Sequence, residues 1–109
     1  MHLPSFSFQT LNWATIAKEE HNGESGVAYW QVFKMGDIRV RKVEYSSGYK
    51  ADHWCSKGHI ILCMDGEMDT ELADGRVMKL TKGMTYFVGD NNEAHRSSSS
   101  EGCQLFIVD

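Results

Sequence analysis

The sequence predicts an all-β domain, and three observations favour that class over one built from helices. Glycine is frequent and proline is nearly absent, with ten glycines and one proline among 109 residues. The dipeptide Asp-Gly, one of the strongest short signals of a β-hairpin, occurs at Asp65-Gly66 and at Asp74-Gly75. Between the turn signals lie short segments rich in aromatic and β-branched residues. A series of short strands of this kind is typical of an antiparallel sandwich or barrel.

The first part of the chain contains the one segment whose spacing suits a helix. Apolar side chains in Leu11 to Glu20 (LNWATIAKEE) fall on one helical face, which predicts a short helix there. From Gly26 onward the pattern is strand-like. Val27 to Met35 and Ile38 to Tyr45 are the first two predicted strands, and Gly36-Asp37 separates them.

The middle of the chain predicts two hairpins in succession. His59 to Met64 is a short apolar strand, Asp65-Gly66 turns the chain, and Glu67 to Leu72 alternates strictly as the return strand. Asp74-Gly75 then forms the second turn. The remaining predicted strands are Arg76 to Leu80, Met84 to Val88, Ala94 to Ser97 and Gln104 to Val108. We therefore expect about eight strands in a single domain, with residues 1–25 as an N-terminal arm and 26–109 as the barrel.

Charge and hydropathy exclude two kinds of partner. Eleven Lys and Arg against fifteen Asp and Glu give a net charge of −4, and no basic cluster is present that could neutralise phosphates. No apolar run approaches the roughly 18 residues that a membrane span needs. We expect a cytoplasmic protein that binds neither nucleic acid nor membrane. A chain this small is expected to pair as a homodimer, with the aromatic segment Phe6 to Trp13 packing either on a second subunit or on its own core.

The three cysteines do not predict disulfides, since their number is odd and no Cys-x-x-Cys pair occurs. Cys63 and Cys103 are expected to be small buried hydrophobic residues. Cys55 differs because it follows His53 by two residues, and in a strand two such side chains project from the same face. An imidazole and a thiol placed in this way form a two-ligand clip for a metal ion.

Two further histidines complete a candidate metal site. His59 opens the next predicted strand, and His95 follows a polar loop that returns the chain to the same sheet, so the predicted ligands are His53, Cys55, His59 and His95. Imidazole nitrogen and thiolate sulfur suit zinc, iron, nickel or copper rather than magnesium or calcium. We predict a divalent transition metal, zinc first, with iron or nickel as alternatives. The alternative for each of these four residues is an ordinary structural role without a metal. The other histidines are expected to be exposed: His2 and His21.

The segment Gly48 to Gly66 (GYKADHWCSKGHIILCMDG) resembles the first conserved motif of the cupin superfamily, in which Gly is followed by His-x-His, then Glu, then a closing Gly. His53 and Cys55 stand at the two His positions of that motif, and His59 stands at the Glu position. The first gap is one residue shorter than in the motif. The ligand set is therefore softer than that of the superfamily pattern.

The segment Gly83 to Ser99 (GMTYFVGDNNEAHRSSS) resembles the second cupin motif, with His95 at its His position. Asp52 to Cys55 (DHWC) and the ending Leu105 to Asp109 (LFIVD) resemble, more narrowly, a small group of cupin-fold proteins named for a DHCW motif. The cupin pattern covers residues 26–109.

The resemblance implies a jelly-roll β-barrel of six to eight strands, commonly dimeric, with a divalent metal held inside by residues of the two motifs. It implies no single reaction, because cupins include dioxygenases, isomerases, decarboxylases and plain binding proteins. Two arrangements of the ligands stay open. Either all four residues donate, or Cys55 lines the pocket beside a site of three histidines.

Three functions follow as hypotheses. The first is a metal-dependent enzyme with dioxygenase- or isomerase-like chemistry on a small molecule, although four protein ligands would close a tetrahedral ion. Tyr86 and Glu93 are its candidates for proton transfer, with packing as their alternative role. The second is a non-catalytic module that binds a small molecule or senses metal or oxidant through Cys55. The third is a barrel without metal, whose histidines are satisfied by hydrogen bonds.

Overall fold

The computed structural model describes residues 3–109, in which nine strands form a curled antiparallel sheet and the one helical segment is a 3-10 turn, η1. The elements are η1 Trp13–Thr15, β1 Glu19–Asn22, β2 Val27–Met35, β3 Ile38–Tyr45, β4 Tyr49–Lys50, β5 His59–Leu72, β6 Val77–Thr81, β7 Thr85–Val88, β8 His95–Ser99 and β9 Cys103–Val108. No helix in this part of the chain is long and apolar enough to cross a membrane. The predicted all-β class is confirmed, with the strands at 27–35 and 38–45 placed as expected.

The sheet curls into two layers because β5 belongs to both of them. Its first half pairs with β9 and β7, in a layer that continues from β9 through β3 and β2 to β1. Its second half pairs with β6 and β8, and β4 lies outside β8. The concave sides of the two layers face each other, and the functional residues described below lie between them.

The hairpin predicted at Asp65-Gly66 is wrong, because β5 runs through these residues without turning back. A β-bulge between Cys63 and Asp65 shifts the register against β9, so that one extra residue of β5 is accommodated. Gly66 follows the bulge directly and has a positive φ of 74°, a conformation that also favours Gly in an Asp-Gly turn. The second Asp-Gly does turn the chain, and Glu71 pairs with Val77 across that hairpin.

The bulge also explains the burial pattern of β5. Ile61 and Cys63 point into the core before it, and Met68 and Thr70 point into the core after it, so the inward positions change from odd to even numbers. A strand without a bulge would turn one of these two sets to solvent. The long strand can therefore contribute to both layers with the same buried face.

The helix predicted at Leu11 to Glu20 is wrong apart from the single turn of η1. The side chain of Asn12 caps that turn by accepting a hydrogen bond from the main-chain N–H of Ala14 at 3.0 Å. The side chain of Gln31 on β2 then donates to the carbonyls of Trp13 and Ile16, at 2.7 and 2.8 Å. These bonds hold the segment in an irregular path across the sheet, and the end of the predicted helix pairs with β2 as β1 instead.

One core fills the space between the layers. Its buried members are Val43, Ile61, Cys63, Met68, Leu80, Cys103, Leu105 and Ile107. Cys63 and Cys103 are 0% and 6% exposed, which confirms their expected packing role. Burial raises the pKa of the Cys103 thiol to about 11 and also raises that of Cys63, so both thiols stay protonated at neutral pH.

Part of the aromatic N-terminal segment packs on the chain's own sheet, and part of it is exposed. Trp13 packs edge-on against Phe106 of β9, with ring centroids 6.5 Å apart, while Phe8 is 94% exposed. Further apolar side chains are exposed around the β6–β7 edge: Val77, Met78, Met84 and Phe87. The homodimer stays a prediction.

A matched pair of glycine substitutions tests the role of the bulge. In both Gly66→Ala and Gly75→Ala the new residue has a positive φ, which costs about 1–2 kcal/mol. A Cβ at Gly66 would also lie 2.3 Å from the carbonyl oxygen of Gly102, whereas nothing lies within 4 Å at Gly75. We expect Gly66→Ala to lower the free energy of unfolding by a further ~1–3 kcal/mol in urea denaturation. Equal losses in the two variants would contradict the bulge as a packing constraint.

Candidate metal centre

Three of the four predicted ligands come together at one end of the barrel. The donor atoms of Cys55, His59 and His95 all lie within 4.8 Å of one another. His59 and His95 are the first residues of β5 and β8, and Cys55 lies in the connection that precedes β5. A thiol and two imidazoles therefore converge from three separate parts of the chain.

Main-chain hydrogen bonds hold Cys55 over the two histidines. Its N–H donates to the carbonyl of His95 at 2.8 Å, and the N–H of His95 donates back at 3.0 Å, so the two residues form an isolated β-bridge. Three residues after the bridge the connection is fixed again, where the Gly58 N–H donates to the side chain of Asp90 at 2.6 Å. The thiol is thus positioned by backbone contacts rather than by a strand.

His53 is not part of this cluster. The strand assumed for residues 53–55 does not form, so the premise that His53 and Cys55 share one strand face fails. The ring of His53 is 75% exposed, and its Nδ1 is 2.6 Å from the carboxylate of Asp52. It lies at the rim of the same cavity as the other three. His2 lies outside the described residues, and the ring of His21 is 41% exposed.

The imidazole of His59 is oriented by a buried carboxylate. Its Nδ1 lies 2.7 Å from Oδ2 of Asp109, and since a carboxylate only accepts, Nδ1 carries the proton. In the neutral ring the opposite nitrogen, Nε2, is an acceptor, and it lies 3.4 Å from Sγ of Cys55. In metal sites, a ligand histidine commonly donates the N–H of its second ring nitrogen to a carboxylate or carbonyl.

The imidazole of His95 is oriented in the same sense by a carbonyl. Its Nδ1 donates to the main-chain oxygen of Glu93 at 2.8 Å, which leaves Nε2 unprotonated in the neutral ring. Burial lowers the pKa of His95, and the nearby His59 lowers it further, so the ring stays neutral. The residue is 2% exposed, and Nε2 has no hydrogen-bond partner among the described residues.

The unpartnered Nε2 of His95 indicates whether these residues fit a metal ion. A buried acceptor without a partner costs free energy, and an ion bound there would satisfy it. The same ion would meet the free Nε2 of His59 and the thiolate of Cys55, because all three donor atoms converge. The residues therefore fit a transition metal, which is the cofactor class that the sequence predicted. The hypothesis of a barrel without metal, whose histidines are all satisfied by hydrogen bonds, does not fit His95, because its Nε2 has no partner among the described residues.

Asp109 connects this site to the sheet. Its side chain is fully buried and accepts from Arg39 at 2.9 Å, from Arg41 at 2.8 Å and from His59. Burial raises the pKa of the Asp109 carboxyl, but the hydrogen bonds from His59 and Arg39 and the charge of Arg41 outweigh this effect. The pKa lies well below its ordinary value. Asp109 is therefore ionised whenever the protein is folded near neutral pH.

A cavity of about 300 Å³ opens beside the three donors. Aromatic side chains form much of its wall, among them Trp30 of β2 and the stacked pair Tyr45 and Tyr49, whose ring centroids are 4.2 Å apart. Tyr86 of β7 also faces it, and burial raises the pKa of that phenol above its ordinary value. Tyr86 therefore stays protonated and can donate a hydrogen bond inside the cavity.

Of the two residues considered for proton transfer, the structure places one in the cavity. Tyr86 lines it, whereas the side chain of Glu93 is half exposed and pairs with Arg76 at 3.1 Å. Glu93 contributes its main-chain carbonyl to His95 instead.

Two functional residues were missed from the sequence, namely Asp109 and Arg41. Asp109 belonged to a quoted motif, but its partner His59 is 50 residues away and no local pattern connects them.

The fold has many relatives among solved structures. A predicted oxalate decarboxylase from Thermotoga maritima aligns with a TM-score of 0.77 and 13% identity, over 92% of this chain and 96% of that chain. Ectoine synthase from P. lautus aligns with a TM-score of 0.75 and 15% identity, over 93% and 76%. An RmlC-like cupin from Shewanella frigidimarina NCIMB 400 aligns with a TM-score of 0.69 and 19% identity, over 94% and 89%.

These similarities define the class of structure, which is an antiparallel jelly roll. The chain has the fold of a small cupin, as its two motifs implied. No protein-family model matches the sequence, and no curated protein matches it. At such low identities the likeness concerns the fold alone, and the narrower resemblance to the DHCW group rests on its residues.

The ligand assignment is tested by metal content. We expect the tag-free protein to retain about one equivalent of zinc after dialysis. His59→Ala, His95→Ala and Cys55→Ser should each retain less than about a tenth of an equivalent, because each removes one of three converging donors. His53→Ala and Cys63→Ser serve as controls and should keep the metal. Loss of zinc in His53→Ala would contradict the three-residue site.

The carboxylate of Asp109 can be tested against a second Asp–His pair in the same chain. Asp109→Asn keeps the size of the side chain but removes the acceptor that fixes the proton of His59, so zinc affinity should fall about 10- to 100-fold in a chelator competition. Asp52→Asn alters the exposed pair with His53 and should leave zinc affinity within about fivefold. Equal effects of the two substitutions would exclude a positioning role for Asp109.

Proposed function

We propose that this protein is a metal-dependent enzyme that acts on a small molecule in the cavity beside Cys55, His59 and His95. The observation that carries the proposal is the number of converging donors, which is three rather than four. Structural zinc sites are closed by four protein ligands, whereas catalytic sites have three and keep one position for water or substrate. Because His53 is exposed and paired with Asp52, no fourth histidine among residues 3–109 converges on that position.

The donor set favours zinc. One thiolate and two neutral imidazoles are ligands that zinc accepts in tetrahedral geometry, and iron or nickel are the alternatives. When bound, the ion supplies Lewis-acid chemistry, since it polarises a carbonyl or hydroxyl oxygen placed in the open position. The tautomers of His59 and His95 are fixed before any ion binds, because Asp109 and the Glu93 carbonyl accept their Nδ1 protons.

The other cavity residues support polar, non-redox chemistry of the isomerase kind. Tyr86 presents a protonated phenol to the cavity and can hold or donate a proton at a substrate oxygen. The aromatic rings of Trp30, Tyr45 and Tyr49 make part of the cavity wall apolar, which strengthens electrostatic interactions beside it. Dioxygenase-like chemistry is the alternative if the resident metal is iron.

One further function has an observation in its favour. Sγ of Cys55 lies 3.4 Å from Nε2 of His59, and Cys55 is the one cysteine of the three that is not buried. Cys63 and Cys103 are buried and protonated, so an oxidant would meet Cys55 first. A metal or redox sensor that releases its ion on oxidation of Cys55 is therefore the second candidate.

An added ligand distinguishes the two functions. The protein loaded with Co²⁺ in place of zinc should change its visible absorption when azide is added, because an open position accepts the azide. His53→Ala, as a matched control, should respond in the same way. A spectrum that azide leaves unchanged in both proteins would mean a closed site, which contradicts the enzyme and favours the sensor.

A further inference from the structure

We propose that the substrate or ligand of this cavity is a small carboxylate with an apolar body, held by Arg41. The inference deepens the proposed function, since the anion would lie beside the proposed metal centre. It rests on three features of the cavity: its charge, an unpartnered buried donor, and its walls.

The cavity carries more positive than negative charge. Three arginines line it, and no aspartate or glutamate is among the described residues of its wall. Arg96 is neutralised separately, because its guanidinium donates to Glu71 at 2.8 Å. Arg39 and Arg41, in contrast, share the single carboxylate of Asp109. Two guanidinium charges facing one carboxylate leave an excess of one positive charge.

Arg41 holds its charge out of contact with solvent, whereas Arg39 is partly exposed. Arg41 is 4% exposed, and one of its terminal nitrogens, Nη2, binds Asp109 at 2.8 Å. Its Nε is buried and has no hydrogen-bond partner among the described residues. The guanidinium also lies over the ring of Trp30, with 4.5 Å from Cζ to the ring centroid, so its orientation is fixed. A fixed, buried and unpartnered N–H of a cation is a donor prepared for an anion.

Binding of a metal would not remove this excess. A divalent ion with the thiolate of Cys55 adds one further positive charge, while His59 and His95 remain neutral ligands. A cavity with walls of low polarity concentrates the field of such charges at its centre. The loaded site therefore attracts an anion more strongly than the metal-free one.

The size and the walls of the cavity define the body of the ligand. A volume of about 300 Å³ corresponds to about ten water molecules, hence about ten non-hydrogen atoms. Trp30, Tyr45, Tyr86 and Ile107 supply ring faces and an aliphatic surface. These groups suit a planar or short apolar body attached to the carboxylate, rather than a sugar or a nucleotide.

Benzoate and benzamide are matched probes, since they have the same shape and number of non-hydrogen atoms and differ in charge. With the zinc-loaded full chain, isothermal titration calorimetry should detect benzoate, and benzamide should bind at least about tenfold more weakly. Equal affinity for the two probes would overturn the proposal. Zinc content is measured on the same sample.

Variants locate the site of binding. Arg41→Gln should weaken benzoate binding at least about tenfold while zinc is retained, and Arg39→Gln, which removes the same excess charge from a more exposed residue, should weaken it as well. Arg96→Gln is the control, since its charge is already paired, and should change the affinity by less than about threefold. If Arg41→Gln does not fold, the benzoate affinities of Arg39→Gln and Arg96→Gln are compared instead. Equal losses of benzoate affinity in these two variants would refute an anion site at Arg39 and Arg41.

The anion site and the metal site can fail separately. A protein that retains one equivalent of zinc but binds no benzoate overturns the carboxylate proposal and leaves the metal centre intact. A protein that retains no zinc but still prefers benzoate to benzamide, through Arg41, keeps the anion site and overturns the proposed function.

Discussion

The buried carboxylate of Asp109 is the contact on which the candidate site depends. It accepts hydrogen bonds from Arg39 and Arg41 of β3 and from His59 of β5, so that one anion connects the strands on either side of β9. Its main chain also pairs with Arg39 in both directions, at 2.6 and 2.9 Å. A buried anion needs such partners, because an isolated charge in the interior is very costly. The same bonds that stabilise Asp109 therefore fix the tautomer of His59 and the place of the Arg41 guanidinium.

Two properties of the cavity follow from this one carboxylate. Because Asp109 holds the proton of His59 on Nδ1, the other nitrogen, Nε2, faces Cys55 and His95 with a lone pair that can bind a metal. Because Asp109 is shared between two arginines, it cannot neutralise both, and the cavity stays positive. The metal centre and the proposed anion site are thus two consequences of one arrangement of charge, and they lie in the same cavity.

The fold could be predicted from the sequence where local patterns decide the structure. The strands at Val27–Met35 and Ile38–Tyr45 follow from aromatic, β-branched and alternating residues, and the cupin motifs indicated the topology. The continuous strand through Asp65-Gly66 could not be predicted, because a glycine with positive φ suits an irregular strand as well as a hairpin, and pairing with β9 decides between them. Tertiary contacts likewise replaced the predicted helix with β1.

The residue types of the candidate site could be predicted from the sequence, but the exact set of residues that form it could not. The motif spacing selected Cys55, His59 and His95, and it included His53 because the i, i+2 rule assumes a strand that this segment does not form. Asp109 and Arg41 could not be found by spacing, since their contacts with the site join residues far apart in the chain. Long-range pairing of charges is the part of the site that a single sequence does not display.

The proposed centre is a metal held by one sulfur and two imidazoles with a position left open. X-ray absorption at the zinc edge, on tag-free protein, measures these ligands. We expect a coordination shell of one sulfur, two imidazole nitrogens and one light atom from solvent, unchanged in His53→Ala. A shell that has three imidazole nitrogens, or that lacks sulfur, would contradict it.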